Sequence, residues 1–195
     1  MSPSLSASIH LHPPNSSSTR VASRTYLIYF VTGNPGLIEY YRLFLSHLYA
    51  LLSITKSPSV IEFQVYGRSL SGFEVGAASP STGLKGPPPY TLEQQIVESE
   101  RCLLELVKGL KQQGKQDVQV ILMGHSVGSY ILLEIVRRVK AHEGSRANIA
   151  GGICLFPTVV DIARSESGLV ATVRRVLSTH SDNAIPCHHI YQLPA

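Results

Sequence analysis

Cysteine is scarce: Cys102, Cys154 and Cys187 are the whole set in 195 residues. An odd, widely spaced trio builds neither a disulfide framework nor a paired-cysteine metal site, so a reducing compartment and no resident metal or cofactor are expected. No run reaches the ~18 apolar residues a membrane-spanning helix needs. Any attachment to a membrane or droplet is therefore expected to be peripheral. The opening segment Met1–Ser8 has neither the basic nor the apolar region of a secretory signal, so the chain is not expected to be secreted. Also missing is a dense stripe of Lys and Arg interleaved with aromatics. The formal charge of +4 comes from scattered side chains such as Arg137, Arg138, Lys140, Arg174 and Arg175, which argues against a nucleic-acid partner.

What is present, 44% hydrophobic and 15% charged residues, suits one globular domain with a real core. Residues 1–23 are rich in Ser and Pro and poor in large apolar side chains, so they are expected to form an unstructured arm. The continuous apolar run Tyr26 to Val31 reads as a strand covered on both faces. The turn Gly33-Asn34-Pro35-Gly36 follows. Leu37, Tyr40, Tyr41, Phe44, Leu48 and Leu51 then recur at helical spacing and predict one buried helix face, with Pro58 marking its end. A second strand is expected over Val60 to Tyr66 and a loop over Gly67 to Pro89.

Thr91 and Gln94 form a capping-box pattern ahead of apolar positions Leu92, Ile96, Leu103, Val107 and Leu110, and Gly114 stands where a helix C-cap belongs. Further strands are expected at Val118 to Met123 and Ile149 to Phe156, with a helix over Val127 to Lys140 between them. Strand and helix alternate. That pattern implies a parallel sheet with helices on both faces, joined by right-handed crossovers.

The strongest chemical signal is Gly124-His125-Ser126-Val127-Gly128, lying between a strand and a helix. A nucleophile elbow needs small residues two positions either side of its serine, because the turn is so tight that the chain passes itself. Ser126 is the expected nucleophile. The N–H of Val127 and the dipole of the following helix can stabilise an oxyanion. The second donor normally comes from the loop after an adjacent strand; Pro35 has no N–H, so the backbone N–H of Asn34 is expected to supply it, the alternative being an ordinary Asn-Pro-Gly turn. His125 adjoins the nucleophile in the turn and is expected to point away from its oxygen. His142, His180, His188 and His189 fall in a solvated helix end or a tail without period, and none is expected to be a triad base. Asp161, just past the fourth strand, is the best acid present, against the alternative of a solvated loop residue.

These residues resemble the lipid droplet-associated hydrolase family. The likeness is carried by Gly33-Asn34-Pro35-Gly36 with Glu39, Tyr40, Tyr41 and Phe44, by Leu92 with Gln95 and Ile96, by Gly124 to Tyr130, and by Leu155-Phe156-Pro157-Thr158 with Ser165, Glu166, Ser167 and Gly168. The resemblance implies a partial α/β-hydrolase fold over residues 24–177, a mostly parallel sheet in which the second strand, the first, the third and the fourth lie side by side, and a divergent, unstructured tail over 178–195. It implies a serine hydrolase of neutral-lipid carboxylic esters, sterol esters among them, at a lipid droplet, endoplasmic reticulum or cytoplasmic location. Family members continue through a lipid-facing cap, further strands, a triad Asp and a triad His; a C-terminally truncated chain with impaired activity is the expectation here. A catalytically silent lipid-surface or regulatory protein is the alternative, and acyl transfer on the same fold a third.

Overall fold

The computed structural model describes residues 6–13, 23–54, 61–74, 88–141 and 147–159. Five strands form one sheet: β1 (Ser8–Leu11), β2 (Arg24–Val31), β3 (Ile61–Arg68), β4 (Val118–His125) and β5 (Asn148–Leu155). They lie in the order β1-β3-β2-β4-β5. Every pairing is parallel except that of β1 with β3. The expected order of the four parallel strands therefore holds, and β2 sits at the centre with Ile28 opposite Val65 on one side and Ile121 on the other.

Alternate residues of β2 feed two cores, which is why its sequence shows no polar face. Leu27, Tyr29 and Val31 pack with Leu103 and Val107 of α2 (Leu92–Gln112) and Ile131 and Ile135 of α3 (Val127–Ala141). Ile28 and Phe30 pack with Met123, with Ile38 of a short 3-10 turn (Ile38–Tyr41) and with Leu45 of α1 (Arg42–Ile54). Each fully buried side chain of this size contributes roughly 1.5–3 kcal/mol of transfer free energy. The capping box at α2 is formed, the Thr91 hydroxyl accepting from Gln94 N at 3.2 Å and the Gln94 side chain accepting from Thr91 N at 2.8 Å. Past the end of α2, Gly114 takes φ +87°, a conformation that costs a glycine nothing.

Two expectations need correction. Residues Ser8–Leu11, inside the arm expected to be unstructured, form an edge strand against Val65 to Arg68. It is held by Ser69 N donating to Ala7 O at 2.9 Å and Ser6 N donating to Glu39 Oε1 at 2.9 Å. Its own sequence buries only Ile9, so its stability comes from the long-range ladder and not from any local pattern. The buried face of α1 is also rotated from the one expected. Ile38 and Leu45 are fully buried, whereas Tyr40, Phe44 and Leu51 are 71%, 43% and 51% exposed. The helix is apolar nearly all round, so spacing alone cannot say which stripe meets the sheet.

The loop between β3 and α2 is clamped by polar side chains. Gln95, almost wholly buried, accepts from Ser71 N at 2.9 Å and donates to Ser71 O at 2.8 Å. One turn along, the Glu98 carboxylate accepts from Arg68 at 3.0 Å and from Arg101 at 2.7 Å. Burial pushes its pKa up, but these two guanidinium groups outweigh that and hold it below the usual carboxylate range.

Candidate active site

β4 runs apolar to Met123 and then must turn into α3 within one residue. Ser126 makes that turn at φ 52°, in the left-handed region that a side chain with a Cβ rarely occupies. The turn is held by Ser126 N donating to Leu155 O at 2.9 Å, Ser129 N donating to Ser126 O at 2.9 Å, and the buried Ser129 hydroxyl donating to Gly124 O at 2.8 Å. A Cβ on Gly124 would stand 2.4 Å from Gly128 O, and one on Gly128 would stand 2.4 Å from Val31 O and 2.6 Å from Thr32 O. Those neighbours are backbone and cannot step aside. The elbow's glycines are thus required by contact between β4, α3 and the end of β2.

The loop after β2 lies against this turn. Gly36 N donates to Gly33 O at 2.6 Å, closing a turn across Asn34 and Pro35, whose peptide bond is cis. A Cβ on Gly33 would sit 2.7 Å from His125 Nδ1 and 3.0 Å from Ser126 Cβ, so this glycine lets the loop approach the serine. Tyr41 fastens the two segments together: its hydroxyl accepts from Gly33 N at 3.2 Å and lies 2.9 Å from His125 Nδ1. Burial raises the Tyr41 pKa, opposed by the Gly33 N–H, so the phenol stays neutral through physiological pH.

Val127 opens α3, so its N–H has no intrahelical acceptor and points toward the serine end of the helix. Asn34 is exposed at the tip of the facing loop. His125 engages Tyr41 through Nδ1 and packs at 6.1 Å against the ring of Phe156, itself 85% exposed and at φ 45°. Asp161, Glu166, Asp182, His142, His180, His188 and His189 lie outside the described residues, as does the tail 178–195.

One participant escaped the sequence reading. Thr158, beyond β5, has its Oγ1 2.8 Å from Ser126 Oγ, and its N–H donates to Ser126 O at 3.3 Å. The segment Leu155 to Thr158 was noticeable only as part of a family likeness; nothing in its composition says that the threonine reaches the nucleophile, because the contact is made across the β4–β5 crossover. Among the described residues no group of His, Cys, Asp and Glu could hold a metal ion, and no helix is long and apolar enough to cross a membrane.

Comparison with known proteins identifies the family and the fold. A family model described as lipid-droplet associated hydrolase matches residues 24–187. Among curated proteins, lipid droplet-associated hydrolases from Mus musculus and Gallus gallus are 32% and 28% identical over 78% and 75% of this chain, and the matches cover 44% and 41% of those proteins. The chain thus spans less than half the length of these relatives. Among solved structures, esterase B from Lactobacillus rhamnosis superposes with a TM-score of 0.50 at 12% identity, over 92% of this chain and 58% of that one. That likeness establishes the α/β-hydrolase fold.

Proposed function

The chain belongs to the lipid-droplet associated hydrolase family, and on that premise we propose that it is a serine hydrolase of carboxylic esters, acting on neutral lipids such as sterol esters at a lipid droplet or endoplasmic reticulum surface. The observation that carries this reading is Ser126 at φ 52° on a one-residue strand-to-helix turn. Its role is to attack the ester carbonyl through Oγ, releasing the alcohol and leaving an acyl-enzyme that water then hydrolyses. The N–H of Val127, with the α3 dipole behind it, and the N–H of Asn34 are the oxyanion donors in this reading. Asp161 is its acid.

Turnover in this chain is proposed to be low. The Ser126 Oγ partner among the described residues is the Thr158 hydroxyl, which takes no proton at neutral pH and cannot act as a general base. The same hydrogen bond favours a second reading, a catalytically silent protein of the lipid surface.

A fluorophosphonate probe and a short p-nitrophenyl ester separate the two. Covalent labelling that disappears in Ser126→Ala, with ester turnover at trace level, is the expected result. Absence of labelling at any pH from 6 to 9 would leave the silent reading in place. Brisk turnover lost in both Ser126→Ala and His188→Ala would instead mean that the tail supplies a working base.

A further inference from the structure

We infer that the outer face of α1, centred on Leu43 and Ile54, is the surface by which this protein lies on a phospholipid-coated lipid droplet. The inference rests on the lipid-surface part of the reading above and assigns that role to particular side chains. From Leu43 to Ile54 the sequence contains no Asp, Glu, Lys or Arg. Its inner face is committed to the sheet, with Leu45 fully buried. At about 100° per residue, Leu43, His47, Ala50 and Ile54 project on the side opposite Leu45, and the two large apolar side chains among them, Leu43 and Ile54, are 83% and 73% exposed. Tyr40, 71% exposed, stands in the 3-10 turn just ahead of the helix. A neighbour packed beside α1 on the sheet could cover Phe44 and Leu51 at its flank, but not the residues that point straight outward.

Area and charge select the occupant. The Leu43–Ile54 stripe is one helix wide and about 17 Å long, roughly 170 Å². A stable protein interface needs about 800 Å² per partner, so a second copy of this chain gains too little from it. With no Asp, Glu, Lys or Arg along the stripe and His47 as its one ionisable side chain, it offers little complement to a strongly acidic or basic partner. A fluid monolayer of uncharged or zwitterionic lipid needs neither large area nor charge, and accepts apolar side chains one at a time. The location is also apt. Tyr41, next to Tyr40, holds His125 beside the nucleophile at 2.9 Å, and the exposed ring of Phe156 stands on the far side of that histidine.

The test is flotation of the full chain with triolein droplets coated in phosphatidylcholine. The wild type is expected to float with the droplets, with little change in 0.5 M NaCl, and the double variant Leu43→Asp, Ile54→Asp to bind at least about tenfold more weakly, the factor for losing just one of the two side chains. Val97→Asp and Leu133→Asp, at exposed apolar positions on α2 and α3, are expected to bind as the wild type does. Equal binding by the double variant, or equal loss in the controls, overturns the assignment. So does conversion of a dimer to a monomer, which would make a second copy the occupant. A fall in melting temperature as large as that of a core substitution would mean that another segment of this chain covers the stripe, which also overturns it. Probe labelling at Ser126 is scored separately: labelling lost with flotation intact sinks the hydrolase reading alone, and labelling intact with a wild type that fails to float sinks the surface reading alone.

Discussion

The Tyr41 hydroxyl lies 2.9 Å from Nδ1 of His125, joining the 3-10 turn ahead of α1 to the residue before the nucleophile across 84 positions of sequence. The same oxygen accepts from Gly33 N, so one phenol fixes the distance between the loop that carries Asn34 and the turn that carries Ser126. A hydroxyl can do both, having one proton to give and two lone pairs to receive.

Tyr41→Phe is expected to leave the Gly33 N–H without its partner. The cost is about 1–2 kcal/mol by urea titration, together with slower fluorophosphonate labelling of Ser126 as the loop loses its tether. Unchanged stability would show that Tyr41 is not what holds the two segments.

Two glycine substitutions should act in opposite directions. Gly128→Ala drives a Cβ into backbone oxygens of β2 at 2.4 and 2.6 Å and is expected to destabilise by about 3 kcal/mol, with Gly128→Val worse. Gly109→Ala, inside α2 with nothing within 4 Å of the new Cβ, is expected to stabilise by about 0.5–1 kcal/mol. Denaturation midpoints of the two variants and the wild type decide both.

Glu98 gives a pH dependence with a definite sign. Despite burial, its partners Arg101 and Arg68 hold the folded-state pKa low. Its contribution is therefore present above the unfolded-state value, roughly pH 4, and is lost as the pH falls through the folded value. Glu98→Gln removes the charge and leaves Arg68, 11% exposed, with Glu74 at 3.4 Å as its remaining carboxylate partner, at a cost of about 1–3 kcal/mol near pH 7. Melting followed from pH 7 to 3 should show the gap between variant and wild type narrowing below pH 4; a constant gap would rule out this origin.

β5 pairs with β4 on one side, and among the described residues nothing lies on the other. Ile153 is 42% exposed there. Unpaired edges of this length promote self-association, so Ile153→Lys is expected to raise the soluble yield and the monomer fraction seen in size-exclusion chromatography. No change in either would mean that this edge does not drive association.

The sequence was most readable where one short segment dictates its own shape. The buried strands β2 and β4 are unbroken apolar runs, and the elbow's glycines announce a turn that only small residues can make. It was least readable where structure depends on distant partners. β1 has a single buried side chain, and its hydrogen bonds come from β3, more than fifty residues on. Thr158 meets Ser126 only because β5 ends beside β4. α1 failed differently: with apolar residues nearly all round, its spacing fits more than one orientation, and only contact with the sheet selects Leu45 over Phe44.

The unequal edges of the sheet bear on the geometry of any assembly. β1 is a four-residue strand followed closely by Pro13, too short to template a long incoming strand, whereas β5 presents eight residues. Among the described residues the two edges thus differ in kind, and association through β5 in that geometry pairs it with another β5 about a two-fold axis instead of growing head to tail.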